Sequence, residues 1–258
     1  MKRLRAVRVS VKDAVADIVC RWPRGRIDTR SAQELCAVAE DLRTDSDIRV
    51  VVLRSDGPDF CLGVAGVASE ARRRPASQSY LSPALDCIAA VASIPAPVLA
   101  VVAGKAWAEG CELALACDLR LMSTGATFRL PQVVEGRLPA HGATQRLPRL
   151  IGAARALDLL WSGRRVSSAE AVRIGLATKV VAARQLGKLV GDTTAELARG
   201  GPAAMRLAKE AVRAASDLTL DQGVRMEQDL YVLLQTTEDR AEGIRAFREK
   251  RRPRFRGR

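Results

Sequence analysis

The chain has 258 residues, with 42 Lys and Arg against 29 Asp and Glu, a formal net charge of +13 and a single histidine. The length suits one full-sized domain, or one domain with a helical appendage. A hydrophobic fraction of 48% with 28% charged residues is ordinary for a globular chain and excludes a disordered one. One histidine excludes a His-rich metal site and leaves only His141 to pair with a nucleophile. The positive charge indicates anionic partners without identifying them.

The cysteines and the N-terminus predict a cytoplasmic protein. The cysteines form no CxxC motif, and four of them lie within apolar runs, which predicts buried thiols in a reducing compartment. The first residues begin basic but lack the apolar segment and cleavage site of a signal peptide. The longest apolar stretch, 94–103, contains Pro95 and Pro97 and is too short to span a bilayer. We therefore expect no contact with a membrane.

The first half of the chain predicts short buried strands that alternate with helices. A helical pattern over 31–42 begins with Ser31 as the expected N-cap and Glu34 as its capping-box partner. Continuous apolar runs predict strands, and a short apolar run between them predicts another helix. The strands are expected at 49–53, 98–103 and 119–122, and the short helix at 112–117. This alternation favours an α/β core with mostly parallel strands.

From about Gly142 onward the pattern becomes nearly all helical, with Gly or Pro between several segments. A helix is expected to begin near Thr144. Further helices are expected at 153–161, 169–174, 185–198, 202–215, 220–234 and 238–249. The basic tail, 250–258, carries much of the excess charge.

The segment Gly104-Lys-Ala-Trp-Ala-Glu-Gly-Cys-Glu-Leu-Ala-Leu-Ala-Cys-Asp118 carries the strongest chemical signal. A strand leads into a Gly-containing turn, and a short apolar helix begins near Gly110. The first amides of a helix lack acceptors within it, so they can hold a developing negative charge. Glu112 lies in the first turn of this helix, where a carboxylate is also favoured simply by the helix dipole.

Five segments together resemble the enoyl-CoA hydratase/isomerase (crotonase) superfamily over about residues 31–257. They are FCLG at 60–63, GCELALACD at 110–118, HGATQRLPRLIG at 141–152, SGRRVSSAEAVRIGLA at 162–177 and EGIRAFREKRRPRFRG at 242–257. The resemblance implies an α/β crotonase fold, with repeated ββα units over 1–195 and an α-helical C-terminal trimerisation region over 196–258. It also implies a homotrimer or a dimer of trimers, in which the terminal helix helps to close a neighbour's coenzyme A site.

The family's chemistry requires an oxyanion hole, in which two backbone N–H groups stabilise the enolate of an acyl-CoA thioester. By resemblance, the donors here are the amides of Val64 and Glu109. The family usually has Gly where this chain has Glu109. A carboxylate beside an oxyanion opposes charge development unless it points away or is paired, for instance with Lys105 or an arginine.

A family hydratase uses two glutamates, one to activate water and one to exchange the proton at the α-carbon. The first matches Glu112, but the second falls on Gln132, whose amide cannot exchange a proton at neutral pH. Glu135 lies three residues after Gln132, so a helical turn there would bring both to one face. One hypothesis is that Glu135 supplies the missing acid or base. The alternative is a surface or salt-bridged glutamate.

The resemblance also implies the residues that hold the substrate. Those expected to line the acyl site are Leu62, Ala65, Gly66, Trp107, Gly110, Pro131 and Ala140. Those expected to bind coenzyme A are Arg24, Arg26, Phe247 and Lys250. His141 is interpreted as a hydrogen-bonded structural or surface residue of the loop rather than a catalyst. No metal site is predicted and no cofactor is expected, since coenzyme A enters as part of the acyl-CoA substrate.

Three hypotheses for function follow. The first is an acyl-CoA lyase or isomerase of the enoyl-CoA hydratase type, with Glu112 as its acid/base. The second is another crotonase-type reaction, such as decarboxylation of a malonyl-type thioester, which needs enolate stabilisation more than two carboxylates. The third is a non-catalytic relative that binds coenzyme A or nucleic acid. The net charge of +13 favours nucleic acid, whereas an aromatic content of 3% argues against base stacking.

Overall fold

The computed structural model of the chain describes residues 4–65 and 86–258. These residues form a larger sheet with the strand order β1-β2-β3-β4-β6-β9 and a smaller sheet with the order β5-β7-β8. The larger sheet comprises β1 (Val7–Lys12), β2 (Val15–Cys20), β3 (Val50–Ser55), β4 (Val98–Val102), β6 (Leu119–Ser123) and β9 (Lys179–Val181). The smaller comprises β5 (Lys105–Trp107), β7 (Thr127–Arg129) and β8 (Arg165–Ser167). In the larger sheet every neighbouring pair is parallel except β1 with β2.

The helices lie against the sheet and then continue beyond it. A short 3-10 helix covers Pro23–Gly25. The α-helices of the described residues are α1 (Thr29–Thr44), α2 (Asp86–Ser93), α3 (Glu109–Ala116), α4 (Ala143–Ile151), α5 (Ala153–Ser162), α6 (Ser168–Arg173), α7 (Ala183–Ala198), α8 (Pro202–Ala214), α9 (Leu220–Gln235) and α10 (Glu238–Arg248). The predicted division between residues 195 and 196 falls inside α7 and stays a prediction.

The two faces of the larger sheet bury different side chains because successive strand residues point to opposite faces. On one face Val51, Leu53 and Ala100 join the main core with α1 and α2. On the other, Val52 and Leu99 form a smaller cluster with α7. These continuous apolar runs are therefore strands buried on both sides, as the sequence predicts for a parallel sheet.

The predicted strands are confirmed, with shifts of one or two residues at their ends. The helices predicted after Gly142 are confirmed in the same way. The helix expected at 112–117 begins earlier, at Glu109. Five of the six cysteines are buried and Cys36 is half-buried, which agrees with the predicted buried thiols. None of the helices in the two described ranges is long and apolar enough to cross a membrane.

The predicted start of the first helix is wrong. Asp28, not Ser31, is the N-cap of α1: its Oδ1 accepts the Ser31 N–H at 2.8 Å, and Ser31 Oγ accepts the Asp28 N–H at 3.0 Å. Glu34 takes no part in this capping box. Its Oε2 instead accepts three backbone N–H groups, from residues 5, 6 and 7, at 2.7–3.0 Å, and so attaches α1 to the start of β1. A contact between residues almost thirty positions apart cannot be read from local spacing.

Candidate active site

Glu112 lies in the buried first turn of α3. The chain leaves β5, turns at Ala108 with a φ of 49°, and enters a helix in which every residue is buried. Glu112 is fully buried, and its Oε1 accepts the backbone N–H groups of His141 at 2.8 Å and Ala143 at 3.1 Å. These two amides, at the entrance to α4, fix the carboxylate inside the core.

The surroundings of Glu112 change its acidity. The pKa of Glu112 is raised to about 7, chiefly by burial and also by the nearby charge of Glu109, although the amides of Ala143 and His141 and the Arg146 guanidinium act in the opposite direction. A carboxyl group with a pKa near neutrality can both accept and return a proton at physiological pH. Glu112 is therefore suited to acid–base catalysis.

Gln132 is the side chain that faces Glu112. It is fully buried, and its Nε2 donates to Oε2 of Glu112 across 3.4 Å, a long hydrogen bond. Its Oε1 is also buried and has no hydrogen-bond partner among the described residues. Buried acceptors almost always have a donor, so this oxygen can accept from a water or a substrate group bound beside Glu112.

Glu109 departs from the family pattern, and the structure reveals its partners. It is 6% exposed, and its Oε2 accepts the backbone N–H of Val64 at 3.0 Å. Its Oε1 lies 3.4 Å from Nη1 of Arg137. The sequence offers either Lys105 or an arginine as the counter-charge of Glu109, and the structure has the arginine. Lys105 instead pairs with Asp59 at 4.0 Å. The Val64 amide, expected to hold a thioester oxygen, is in contact with a carboxylate of the chain itself.

Glu135 does not share a face with Gln132. Residues 131–136 form a turn rather than a continued helix, and the Glu135 side chain is 51% exposed and pairs with Arg137 at 2.6 Å. Gln132 is fully buried. The expectation that a helical turn brings the two side chains together is therefore wrong, because Gln132 points into the core toward Glu112 whereas Glu135 points outward to Arg137. The geometry agrees with the alternative of a salt-bridged glutamate.

The loop that carries Val64 is held by backbone pairing. Ile27 forms a parallel bridge with Val64, and Cys61 forms one with Ala106, so residues 61–65 lie between the 23–28 segment and β5. Gly110 allows this close approach, since a Cβ there would lie 2.2 Å from the carbonyl oxygen of Cys61. This pairing brings the predicted hole residues of two distant segments to one place.

The other predicted substrate residues differ in their positions. Leu62 is half-buried, Ala65 is exposed, Pro131 is buried and Ala140 is exposed beside His141. Gly66 lies outside the described residues. Trp107 is half-buried on the smaller sheet, where its Nε1 donates to Thr127 Oγ1 at 3.1 Å. The cations of three residues lie 4.9–5.5 Å from its ring centroid: Lys105, Arg129 and Arg165.

The predicted coenzyme A residues fall into two groups. Arg24 and Arg26 are exposed, and Nη1 of Arg26 lies 3.5 Å from the carbonyl oxygen of Val64, so Arg26 is next to the predicted oxyanion hole. Phe247 is 85% exposed at the end of α10, and Lys250 is exposed just beyond it. No group of three or more His, Cys, Asp or Glu side chains within 4–65 and 86–258 could hold a metal ion.

Two parts of this site are not predicted from the sequence. His141 is expected only as a structural or surface residue, whereas its backbone N–H binds Glu112, and Arg137 is not among the expected residues. A backbone donor carries no signal in side-chain identity. The signal for Arg137 was indirect, because a buried carboxylate at position 109 requires a nearby cation.

Comparison with known proteins identifies the family of the chain. The family model described as enoyl-CoA hydratase/isomerase matches residues 11–258. The chain belongs to that family. It is 34% identical over 254 residues, covering 97% of this chain and 99% of the relative, to (E)-benzylidenesuccinyl-CoA hydratase of Thauera aromatica. It is 36% identical over 232 residues, covering 86% and 72%, to mitochondrial methylglutaconyl-CoA hydratase of Rattus norvegicus.

The fold comparison leads to the same family. A crystal structure of an enoyl-CoA hydratase subunit I from Geobacillus kaustophilus HTA426 superposes with a TM-score of 0.91 at 34% identity, covering all of both chains. The crotonase fold predicted from the sequence is therefore confirmed, together with its helical C-terminal region. The chain is an acyl-CoA enzyme of the enoyl-CoA hydratase/isomerase type.

Proposed function

We propose that the chain hydrates a 2-enoyl-CoA thioester, and catalyses the reverse dehydration, with Glu112 as its one acid–base residue. The observation that carries this proposal is the environment of Glu112: full burial, two backbone donors on one oxygen and a pKa of about 7. Such a group is basic enough to take a proton from water and acidic enough to give it to carbon. The relatives named above are themselves hydratases by name, which supports the same reaction class.

The reaction balances with a single carboxylate. As the water oxygen attacks the β-carbon, the Glu112 carboxylate takes one of its protons and the double-bond electrons move toward the thioester oxygen. The amides of Val64 and Glu109 stabilise the enolate formed in this way; one such donor contributes roughly 3–4 kcal/mol in other enzymes. The protonated Glu112 then delivers the same proton to the α-carbon. One C–O bond and one C–H bond form, and the carboxylate is regenerated.

Gln132 positions the water in this scheme. Its buried Oε1 accepts the second hydrogen of the attacking water, while its Nε2 holds Oε2 of Glu112 at 3.4 Å. The amide exchanges no proton, so it is a positioning residue and not a second acid. Because position 132 carries no carboxylate, Glu112 must both take the proton from water and deliver it to the α-carbon.

Decarboxylation is the second candidate, and Gln132 is the observation that favours it. A malonyl-type substrate needs enolate stabilisation and no second acid. However, two buried carboxylates, Glu109 and Glu112, lie in the same site and would repel the carboxylate of such a substrate. Hydration is therefore the better supported reaction. Double-bond isomerisation also needs only one base, and its product differs from the products of hydration and of decarboxylation.

The experiment is a product analysis with crotonyl-CoA and methylmalonyl-CoA. We expect 3-hydroxybutyryl-CoA from the first and no carbon dioxide from the second. Glu112→Gln is expected to lose hydration by a factor of about 10² or more, whereas the exposed Glu40→Gln, a matched change of charge on α1, retains it. Hydration that survives in Glu112→Gln would overturn the proposal, as would decarboxylation by the wild type.

The exposed apolar side chains of one C-terminal helix support a proposal for how the chain assembles. Helix α9 has sixteen residues and buries none of them within one chain, while Leu220, Val224 and Tyr231, which lie along one face of it, are 44–82% exposed. An apolar face of this kind fits contact with other copies of the chain. We propose a homotrimer or a dimer of trimers in the cytoplasm, with Phe247 and Lys250 at a neighbour's coenzyme A site. Light scattering of the purified chain tests the assembly.

A further inference from the structure

The carboxylate of Glu109 binds the backbone N–H that the proposed reaction assigns to the substrate. Its Oε2 lies 3.0 Å from the Val64 amide nitrogen, and the side chain is almost fully buried. A hydrogen bond to an ionised acceptor is roughly twice as strong as one between neutral groups. A neutral thioester oxygen therefore meets a stronger acceptor already in its position.

The loop is shaped around this carboxylate. Gly63, immediately before Val64, has a φ of +108°, and a Cβ built there would lie 2.6 Å from Oε2 of Glu109. Glycine at this position thus provides both the backbone conformation and the space that the carboxylate uses. The carboxylate of Glu109 therefore reaches the Val64 amide through space that a side chain at position 63 would fill.

Arg137 gives the carboxylate a second place to bind. Its Nη1 lies 3.4 Å from Oε1 of Glu109, longer than a strong ion pair, and its Nη2 binds Glu135 at 2.6 Å. The side chain of Arg137 is 24% exposed, so the guanidinium lies toward the outer side of the site. When Glu109 leaves the Val64 amide, it can shorten its bond to Arg137 and keep its charge paired.

We propose that Glu109 is an internal competitor for the thioester oxygen, and that acyl-CoA binds by displacing its carboxylate from Val64 toward Arg137. This inference rests on the proposed function only in the use of the Val64 amide by the thioester. Glu109 thereby determines the affinity of the site for acyl-CoA. The enolate is a stronger acceptor than the neutral thioester, so the displacement is more complete in the transition state than in the bound substrate.

The test measures binding without turnover. Butyryl-CoA is saturated and cannot be hydrated, and free coenzyme A has no thioester oxygen. By calorimetric titration, Glu109→Gly is expected to lower the Kd of butyryl-CoA about tenfold and to leave the Kd of free coenzyme A unchanged within about twofold. Glu109→Gln keeps the shape and one acceptor but loses the charge, so a smaller gain is expected. Thermal unfolding of each variant verifies that it is folded.

Substitution of Arg137 provides a second, independent test of the proposal. Arg137→Gln removes the place to which the carboxylate withdraws, so it is expected to weaken butyryl-CoA binding several-fold in the presence of Glu109. The same substitution in the Glu109→Gly background is expected to weaken it clearly less. Equal losses in both backgrounds would overturn the displacement, because an arginine that acts independently of Glu109 would cost the same in both.

The outcomes are separable from those of the proposed reaction. Tighter butyryl-CoA binding by Glu109→Gly supports the competition even if crotonyl-CoA is not hydrated, in which case only the proposed reaction fails. The inference is overturned if neither Glu109 variant binds butyryl-CoA more tightly than the wild type does. The inference is also overturned if the Glu109 variants bind free coenzyme A more tightly by the same factor as butyryl-CoA, because the effect would then come from the overall charge of the site.

Discussion

Gln132 donates a long hydrogen bond of 3.4 Å to Glu112, and both side chains are fully buried. An amide thus lies where a second carboxylate would otherwise face the first. A pair of buried carboxylates at this separation would share a proton, since like charges raise each other's pKa values. With an amide at position 132, Glu112 shares its proton with no carboxyl group there, although the charge of Glu109 still raises its pKa.

The pH dependence of hydration should show one ionisation. In the proposed reaction Glu112 must begin as a carboxylate in both directions, and burial raises its pKa to about 7. We expect kcat/KM to rise through about pH 7 and then remain level, measured with crotonyl-CoA between pH 5.5 and 9. A bell-shaped profile with a falling limb near pH 8 would contradict a single acid–base residue.

Gln132→Glu should change the shape of that profile. The new carboxyl group can donate a proton directly to the α-carbon, and general acid–base groups contribute roughly 10²–10⁴-fold. We expect kcat to rise by about tenfold or more and a falling limb to appear, because one carboxyl group must then be protonated. Gln132→Met, which removes both polar atoms, is the matched control and should lower kcat. If Gln132→Glu leaves both rate and profile unchanged, residue 132 does not reach the substrate.

Stability should depend on pH through the same group. Because the pKa of Glu112 is higher in the folded chain than in the unfolded one, the folded chain holds this proton more tightly. The resulting contribution to the free energy of unfolding is complete below the unfolded pKa and is lost as pH rises through about 7. The ionised form costs about 3 kcal/mol at pH 8. We therefore expect Glu112→Gln to have a larger free energy of unfolding than the wild type at pH 8, by up to about 3 kcal/mol, and a similar one at pH 4. Urea titrations at the two pH values measure this, and equal differences at both would contradict it.

Gly110 should tolerate no side chain. Its missing Cβ would lie 2.2 Å from the carbonyl oxygen of Cys61, which is backbone and cannot rotate away. Overpacking of this kind costs about 1–3 kcal/mol, and we expect Gly110→Ala to lower the free energy of unfolding by at least that much and to abolish hydration. Gly191→Ala on α7 is the matched control, because nothing lies within 4 Å of its added Cβ. That variant should be about 0.5–1 kcal/mol more stable, since alanine favours a helix over glycine.

Local sequence patterns determined most of the elements. The continuous apolar runs at 50–53 and 98–102 have the length and composition of strands buried on both faces, and helical spacing determined the helices after Gly142. The β1–β2 hairpin was not predicted. Its turn has Asp13 and Ala14, both with positive φ, where such turns usually carry Asn or Gly, so the local signal was missing.

The sequence by itself determined that Glu112 stands in a helix start beside a glycine turn, and that Gln132 replaces the expected second carboxylate. Only the tertiary structure decided what surrounds them. The amides of His141 and Ala143 hold the carboxylate of Glu112, and the carboxylate of Glu109 binds both the Val64 N–H and Arg137. These contacts join residues that are 28–45 positions apart in the sequence. Such contacts depend on how strands and loops pack side by side, and neither spacing nor propensity encodes them.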